Sequence, residues 1–475
     1  MLFNSIEFCL FLLVVVPLFY WLPQRQRLVF LLVVSYIFYA WWNARYAVLI
    51  ALSTVMDFYL ARAMSKQPSL EGRKKLLLVS LVVNLGVLFV FKYWNFANDS
   101  MKVLCASLGL TWEVPALYVL LPPGISFYTF QTLSYTIDVY RREDEAEKSL
   151  ERFALFIAFF PQLVAGPIER ASHLKPQFEE VKPFDADRFF SGLQLVLWGL
   201  FQKVVIADRL ATYVDAVYNN TANHNATSYW LATYAFAFQI YCDFAGYSEI
   251  AVGTARMLGY NLMDNFKRPY FSDSITTFWR RWHISLSTWL RDYLYISLGG
   301  NRYGQWMTYR NLMITMLLGG LWHGASWNFV IWGGLQGIFL SLSRLTLPLR
   351  DRLNRRLGLP KPLVLAGRMF VTFHLVCLSW IFFRANTFQD ALTIVGGFFT
   401  KPWGMPFVEL IALLYGFGGV GLLLALHAYE AHREPWMQTV ARWPRPLRWT
   451  VWYLLLLGIV LFGVEQGSQF IYFQF

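Results

Sequence analysis

Charge is scarce in this chain. Asp, Glu, Lys and Arg together make up 15% of its 475 residues, against about 25% in ordinary soluble domains. That scarcity excludes a water-soluble multidomain enzyme. Cysteine is scarce too. Cys9, Cys105, Cys242 and Cys377 stand far apart and form no Cys-x-x-Cys pair, so neither a disulfide framework nor a zinc site organises the fold. They read as apolar filler. Gly-x-Ser-x-Gly and His-Glu-x-x-His are both missing, so no serine triad or zinc-hydrolase signature is offered. Internal repeats and low-complexity linkers are missing as well.

What is abundant is apolar sequence. Hydrophobic residues make up 57% of the chain and the mean hydropathy is +0.41. The runs are continuous, as in "LLLVSLVVNLGVLFVF" at 76–91. Continuous runs mark membrane-spanning helices; a membrane barrel alternates over segments of about ten residues. The sequence therefore predicts an all-α, polytopic integral membrane protein. Its first apolar run has Glu7, no basic leader and no small-residue cleavage site. It reads as a span, not a signal peptide.

The net charge of +12 invites a nucleic-acid reading, but its placement excludes one. Most of the 41 lysines and arginines fall in loops 24–27, 62–75, 141–152, 170–188, 252–311, 344–368 and 429–449, between apolar runs. The positive-inside rule assigns those loops to the cytoplasm. Spans then fit at 6–22, 28–42, 46–61, 76–93, 117–139, 189–206, 230–251, 369–384, 408–427 and 450–466. That is about ten full crossings, with both termini outside. The expected organisation is one domain over 1–475: N-terminal spans in 1–150, a core in 151–343 and C-terminal spans in 344–475.

Two apolar pieces, 153–168 and 312–343, are flanked on both sides by basic loops. The second should enter the membrane and return, since two crossings would leave the first too short. Gly319, Gly320 and Gly324 are placed to serve the bend, and His323 then lies near the apex. Broken helices at that depth require protein or water around the backbone.

Ahead of this hairpin, 272–302 carries Phe278, Trp279, Trp282, Leu286, Trp289, Leu290 and Tyr293 at helical spacing, with Arg280, Arg281, Arg291 and Asp292 mainly opposite. This predicts an amphipathic interface helix, capped by Ser272 or Ser274 and ended by "GGNR" at 299–302. His283 falls on or beside its apolar stripe. Two histidines on apolar surfaces, His283 and His323, are thus expected to face one cavity. A buried neutral imidazole is a ready general base. The competing readings are a core histidine bonded to backbone and a two-histidine metal site, the latter lacking any carboxylate spacing. Arg280, Arg281, Arg291, Asn301 and Arg302, with Arg310 beyond, suit donor phosphates; topology and lipid headgroups account for the same arginines. Asp138, Glu169, Asp243 and Glu249 read as packing or ion-pair residues.

"ISFYTFQTLSYTIDVYR" (125–141), "FPQLVAGPIER" (160–170), "YCDFAGYSEIAVG" (241–253), "FWRRWHISLSTWLRDYLYISLGGNR" (278–302), "GGLWHGASWNFVIWG" (319–333) and "FIYFQF" (470–475) together resemble bacterial membrane-bound O-acyltransferases, over essentially the whole chain. The resemblance implies a ring of helices around a funnel. It implies that His323 matches the essential histidine and His283 the second one. Relatives acetylate exopolysaccharides such as alginate, acetylate peptidoglycan, or move D-alanine onto teichoic acids. It further implies acetyl-CoA as a cytoplasmic donor with no bound cofactor, a periplasmic acetyltransferase partner and polysaccharide, contact with membrane lipids, no nucleic acid, and the bacterial inner membrane. Many relatives carry Trp-Gly-x-x-His-Gly where this chain reads "WGGLQG" (332–337), with Gln336 at the histidine position; the polymer is left open. The rival class is a polysaccharide or acyl-carrier transporter with His323 as proton relay, which predicts inverted repeats. A secretion scaffold, in which substitutions at His323 are silent, is the third.

Overall fold

In a computed structural model the chain is helical, with no strand among the described residues, which are 1–407, 410–464 and 470–473. Two compact units emerge. The first comprises Met1–Leu193, Ala251–Met263 and Gly324–Ser326; the second comprises Gln194–Ile250, Asp264–His323 and Trp327–Phe475.

Seven described helical stretches are long and apolar enough to cross a membrane: Ala44–Lys66, Leu70–Ser107, Ala186–Tyr218, Trp327–Arg356, Lys361–Arg384, Leu413–Glu430 and Arg445–Phe462. The first two residues of the expected 408–427 span lie outside the described residues. Ile6–Trp21, Gln24–Ala40 and Ile125–Arg141 form helices at three further expected spans but are shorter. The expected span 230–251 sits in Ala226–Met257, a 32-residue helix. Its residues 235–251 are buried almost all round, as befits a helix enclosed by protein rather than lipid.

In the first unit, side-chain caps start the helices: Ser5 accepts from Phe8 N–H, Ser69 from Gly72 N–H and Ser149 from Arg152 N–H. A buried polar knot sets the register of three helices. Asp57 accepts from Ser80 Oγ at 2.6 Å and from Asn84 Nδ2 at 2.8 Å, and Ser80 reaches Thr136 at 3.4 Å. The 153–168 piece forms two short helices, Leu150–Ala158 and Phe160–Leu163, buried from Phe153 to Ile168.

In the second unit the expected hairpin is two helices, Gly304–His323 and Trp327–Arg356, separated by three residues. Both arms are longer than the sequence reading drew them, and the return arm can cross fully. Gly319 and Gly320 lie inside the first arm, not at its bend. A Cβ on Gly320 would come within 2.2 Å of Phe329 O, and one on Gly333 within 2.3 Å of Met316 O. These glycines let the two helix backbones touch, the role small residues take in membrane helix pairs.

The single interface helix is corrected. Ser274 does cap its start, accepting from Thr277 N–H. The stretch then breaks into Ile275–Trp279, Ile284–Trp289 and a π-helical turn, Leu290–Tyr295. His283 at the break has φ of 43°, a left-handed conformation rare for a residue with a Cβ. A regular apolar repeat does not reveal one residue of the wrong hand.

Candidate active site

His323 is the last residue of the Gly304–His323 helix, and His283 is the residue before Ile284–Trp289. Their rings lie 6.4 Å apart. Both are buried, His283 at 0% and His323 at 3% exposure. The walls are aromatic. Trp332 lies 4.9 Å from His323, Trp322 5.0 Å and Phe383 5.5 Å, ring centre to centre. Phe244 lies edge-on to His283 at 4.6 Å. Tyr472 touches both histidines, 5.5 Å from His323 and 6.2 Å from His283.

One side chain orients His283. Asn265 Nδ2 donates to Ser248 Oγ at 3.1 Å, so its Oδ1 is the atom turned toward the histidine. That oxygen lies 3.1 Å from His283 Nδ1 and also accepts from Ser285 Oγ at 3.0 Å. An amide oxygen only accepts, so Nδ1 carries the proton and Nε2 the lone pair. Burial pushes the His283 pKa down to about 3, which keeps the ring neutral with its lone pair on Nε2. Burial also pushes the Tyr472 phenol well up, so it stays an uncharged hydroxyl.

Other histidines sit in structural settings. His374 bonds Tyr234 OH at 2.9 Å, His224 meets Ala216 O at 3.3 Å, and His173 meets Glu169 at 2.6 Å.

The arginines divide. Arg280 and Arg291 line a cavity of about 900 Å³ together with Trp279, Ser287, Thr288 and Arg344. Arg291 is paired with Asp292 at 2.7 Å. Arg281 instead donates to Phe271 O at 2.9 Å. Asn301 and Arg302 are exposed and do not line that cavity. Trp279 stands between the cavity and the histidines: it lines the cavity and lies 5.9 Å from Trp332, which borders His323.

The sequence model of the membrane-bound O-acyltransferase family matches residues 37–358. The chain belongs to the membrane-bound O-acyltransferase family. It is a polytopic membrane protein and an O-acyltransferase. It is 44% identical to the probable alginate O-acetylase AlgI of Pseudomonas aeruginosa over 82% of this chain and 73% of that one. It is 39% identical to the Pseudomonas putida protein of the same name over the full length of both. The peptidoglycan O-acetyltransferase of Helicobacter pylori is 31% identical over 94% of this chain and 91% of its own.

Within this O-acyltransferase, Gln336 is a fixed structural link. It is fully buried, accepts from Trp279 Nε1 at 3.1 Å and donates to Ser379 Oγ at 2.7 Å. It holds Trp279 in the wall. The acids read as packing residues also have structural partners. Glu169 accepts from Met263 N–H at 2.5 Å, and Glu249 accepts from Gln202. Asp243 pairs with Lys203 at 2.6 Å and accepts from Ile471 N–H at 2.7 Å.

Asn265 and Tyr472 were missed as site residues by sequence reasoning. Asn265 lies in a loop with no periodicity to point at it. Tyr472 falls within "FIYFQF", which carried resemblance but no placement; of that motif Gln474 and Phe475 lie outside the described residues.

Proposed function

We propose that this chain takes an acetyl group from a cytoplasmic donor, acetyl-CoA, and passes it toward the periplasmic side for O-acetylation of a cell-surface polysaccharide of the alginate type. The observation that carries this is the buried pair His283 and His323, ring centres 6.4 Å apart and walled by aromatics, in a chain similar to proteins named alginate O-acetylases. His323 acts as general base on the acceptor hydroxyl, or relays the acetyl group. As base it removes the hydroxyl proton while the oxygen attacks the thioester carbonyl; the C–S bond then breaks and the thiol leaves with a proton. His283, with its lone pair on Nε2, supports that proton transfer. Arg280 and Arg291 offer guanidinium groups for donor phosphates. A cavity of about 900 Å³ falls within the size of cofactor sites. A periplasmic acetyltransferase completes transfer onto the polymer.

Peptidoglycan is the second acceptor reading, favoured by the similarity to the Helicobacter pylori peptidoglycan O-acetyltransferase. The test is His323→Ala in cells with membrane abundance confirmed. Polymer-bound acetate should vanish from one identifiable polymer. Unchanged acetylation of every envelope polymer would refute the reading.

A further inference from the structure

The helices Trp327–Arg356 and Lys361–Arg384 pack side by side in the second unit but do not close on each other along their whole length. Positions 339, 342, 343, 346, 350, 353 and 354 form one face of the first helix; 363, 364, 367, 368, 371, 372 and 375 form one face of the second. Both sets follow the i, i+3, i+4, i+7 rhythm of a packing stripe. Between them lies a groove of about 500 Å³. Its walls are overwhelmingly apolar, and Leu342, Leu363 and Val371 on them are exposed. At Gly367 an added Cβ would meet nothing within 4 Å.

The mouth of the groove is charged. Arg350 and Arg368 both line it. Arg350 Nη2 donates to Ser343 O at 2.6 Å, and Arg368 Nη2 to Asp351 Oδ1 at 2.6 Å. Their Nε–H groups are shielded from solvent and make no hydrogen bond among the described residues. Arg344 lines the adjoining cavity alongside the same two arginines. Arg344, Arg350 and Arg368 against the carboxylates of Asp351 and Asp273 leave the mouth with an excess of positive charge.

We propose that this groove binds an anionic phospholipid: one acyl chain lies along the two apolar helix faces, and the headgroup phosphate accepts hydrogen bonds from Arg350 and Arg368. The groove is separate from the histidine pair but shares Arg350 and Arg368 with the cavity proposed for the donor, so the test reads lipid retention directly, with no donor or polymer present. Its two halves need each other. A free phosphate would leave the apolar walls exposed to water, and a neutral chain would leave the excess positive charge at the mouth without an anion. An anionic lipid satisfies both, and the excess positive charge favours it over a zwitterionic one.

The experiment is native mass spectrometry of the full chain in detergent micelles doped with equal palmitoyl-oleoyl phosphatidylglycerol and phosphatidylcholine. The wild type should retain the glycerol lipid about tenfold over the choline lipid. Arg350→Gln with Arg368→Gln should bring that ratio near one. Gly367→Leu, which leaves both arginines and fills the groove, should lower retention of the glycerol lipid severalfold. Thermal melting of each variant in phosphatidylcholine alone checks that it folds. A wild-type ratio near one, or unchanged retention in both variants, would overturn the proposal. So would displacement of the lipid by millimolar glycerol phosphate, since the apolar walls would then contribute nothing.

Discussion

The second unit holds two buried polar clusters that make opposite use of burial. In one, Lys203 sits between Asp208 at 2.8 Å and Asp243 at 2.6 Å, with side-chain exposures of 0%, 0% and 4%. In the other, His283 and His323 lie among aromatic rings, and His283 Nδ1 donates to the neutral amide of Asn265. The charged cluster ties three parts of the chain together. Lys203 belongs to the π-helical turn Phe201–Ala207, Asp243 to the Ala226–Met257 helix, and Asp243 also holds Ile471 N–H near the C-terminus. Through that bond it fixes the segment that lays Tyr472 over both histidines. A buried ion with its counter-ion is held in one geometry and one charge state, and supports structure. A buried neutral imidazole keeps a lone pair to lend, and supports chemistry.

Substitutions should separate the two clusters, and the largest effect belongs to the histidines. His323→Ala should lower acetyl transfer by about a thousandfold, with membrane abundance and melting temperature near wild type. Equal losses of activity and of folded protein would erase the distinction. Lys203→Met should do the reverse. It leaves two buried carboxylates facing each other, costs about 3–5 kcal/mol, and should be read as lost abundance and a lowered melting temperature. Lys203→Met combined with Asp243→Asn should recover part of that loss, because the remaining charge imbalance is smaller.

Asn265→Ala probes the link that sets the His283 tautomer. Activity should fall by roughly ten- to hundredfold while the protein remains folded, and Asn265→Asp should shift the pH profile, since a carboxylate stabilises protonated His283. Gln336→Leu removes the bonds to Trp279 and Ser379 from a fully buried site. It should cost about 1–3 kcal/mol of stability and change activity less than Asn265→Ala does.

The smallest effects are in pH, and two histidines should give opposite signs. His283 titrates near 3 in the folded chain because of burial, and near 6.5 when unfolded. The unfolded state therefore binds a proton first as pH falls, and stability declines from about 6.5 toward 3. His173 is raised by its hydrogen bond to Glu169. Its contribution is complete below about 6.5 and is lost as pH rises through its raised folded value. Chemical denaturation across pH, with His173→Gln as reference, should resolve the two slopes.

Much of this was legible in the sequence. Apolar runs and basic loops gave the helical membrane class and the hairpin, because lipid forces both patterns on any chain that crosses it. His323 and His283 stood out as ionisable groups on apolar surfaces. What stayed hidden depends on chain segments meeting after folding. Asn265 reaches His283 from a loop, and Lys203 finds Asp243 on another helix. The break at His283 was hidden differently: the repeat from Phe278 to Tyr293 fits one helix, while a single left-handed residue divides it. Gly320 looks like a bend residue in the sequence, yet it lies inside a helix and permits close contact with Gly333 on the other arm. Composition records small size without saying which of those two uses it serves.

The most direct measurement of the central claim uses the full chain reconstituted in liposomes with labelled acetyl-CoA. The wild type should release CoA or become labelled, and His323→Ala should do neither while Gln336→Leu retains most of the signal. Equal CoA release by wild type and His323→Ala, or no release and no label from a folded wild type, would contradict the assignment of the histidine pair as the centre of acetyl transfer.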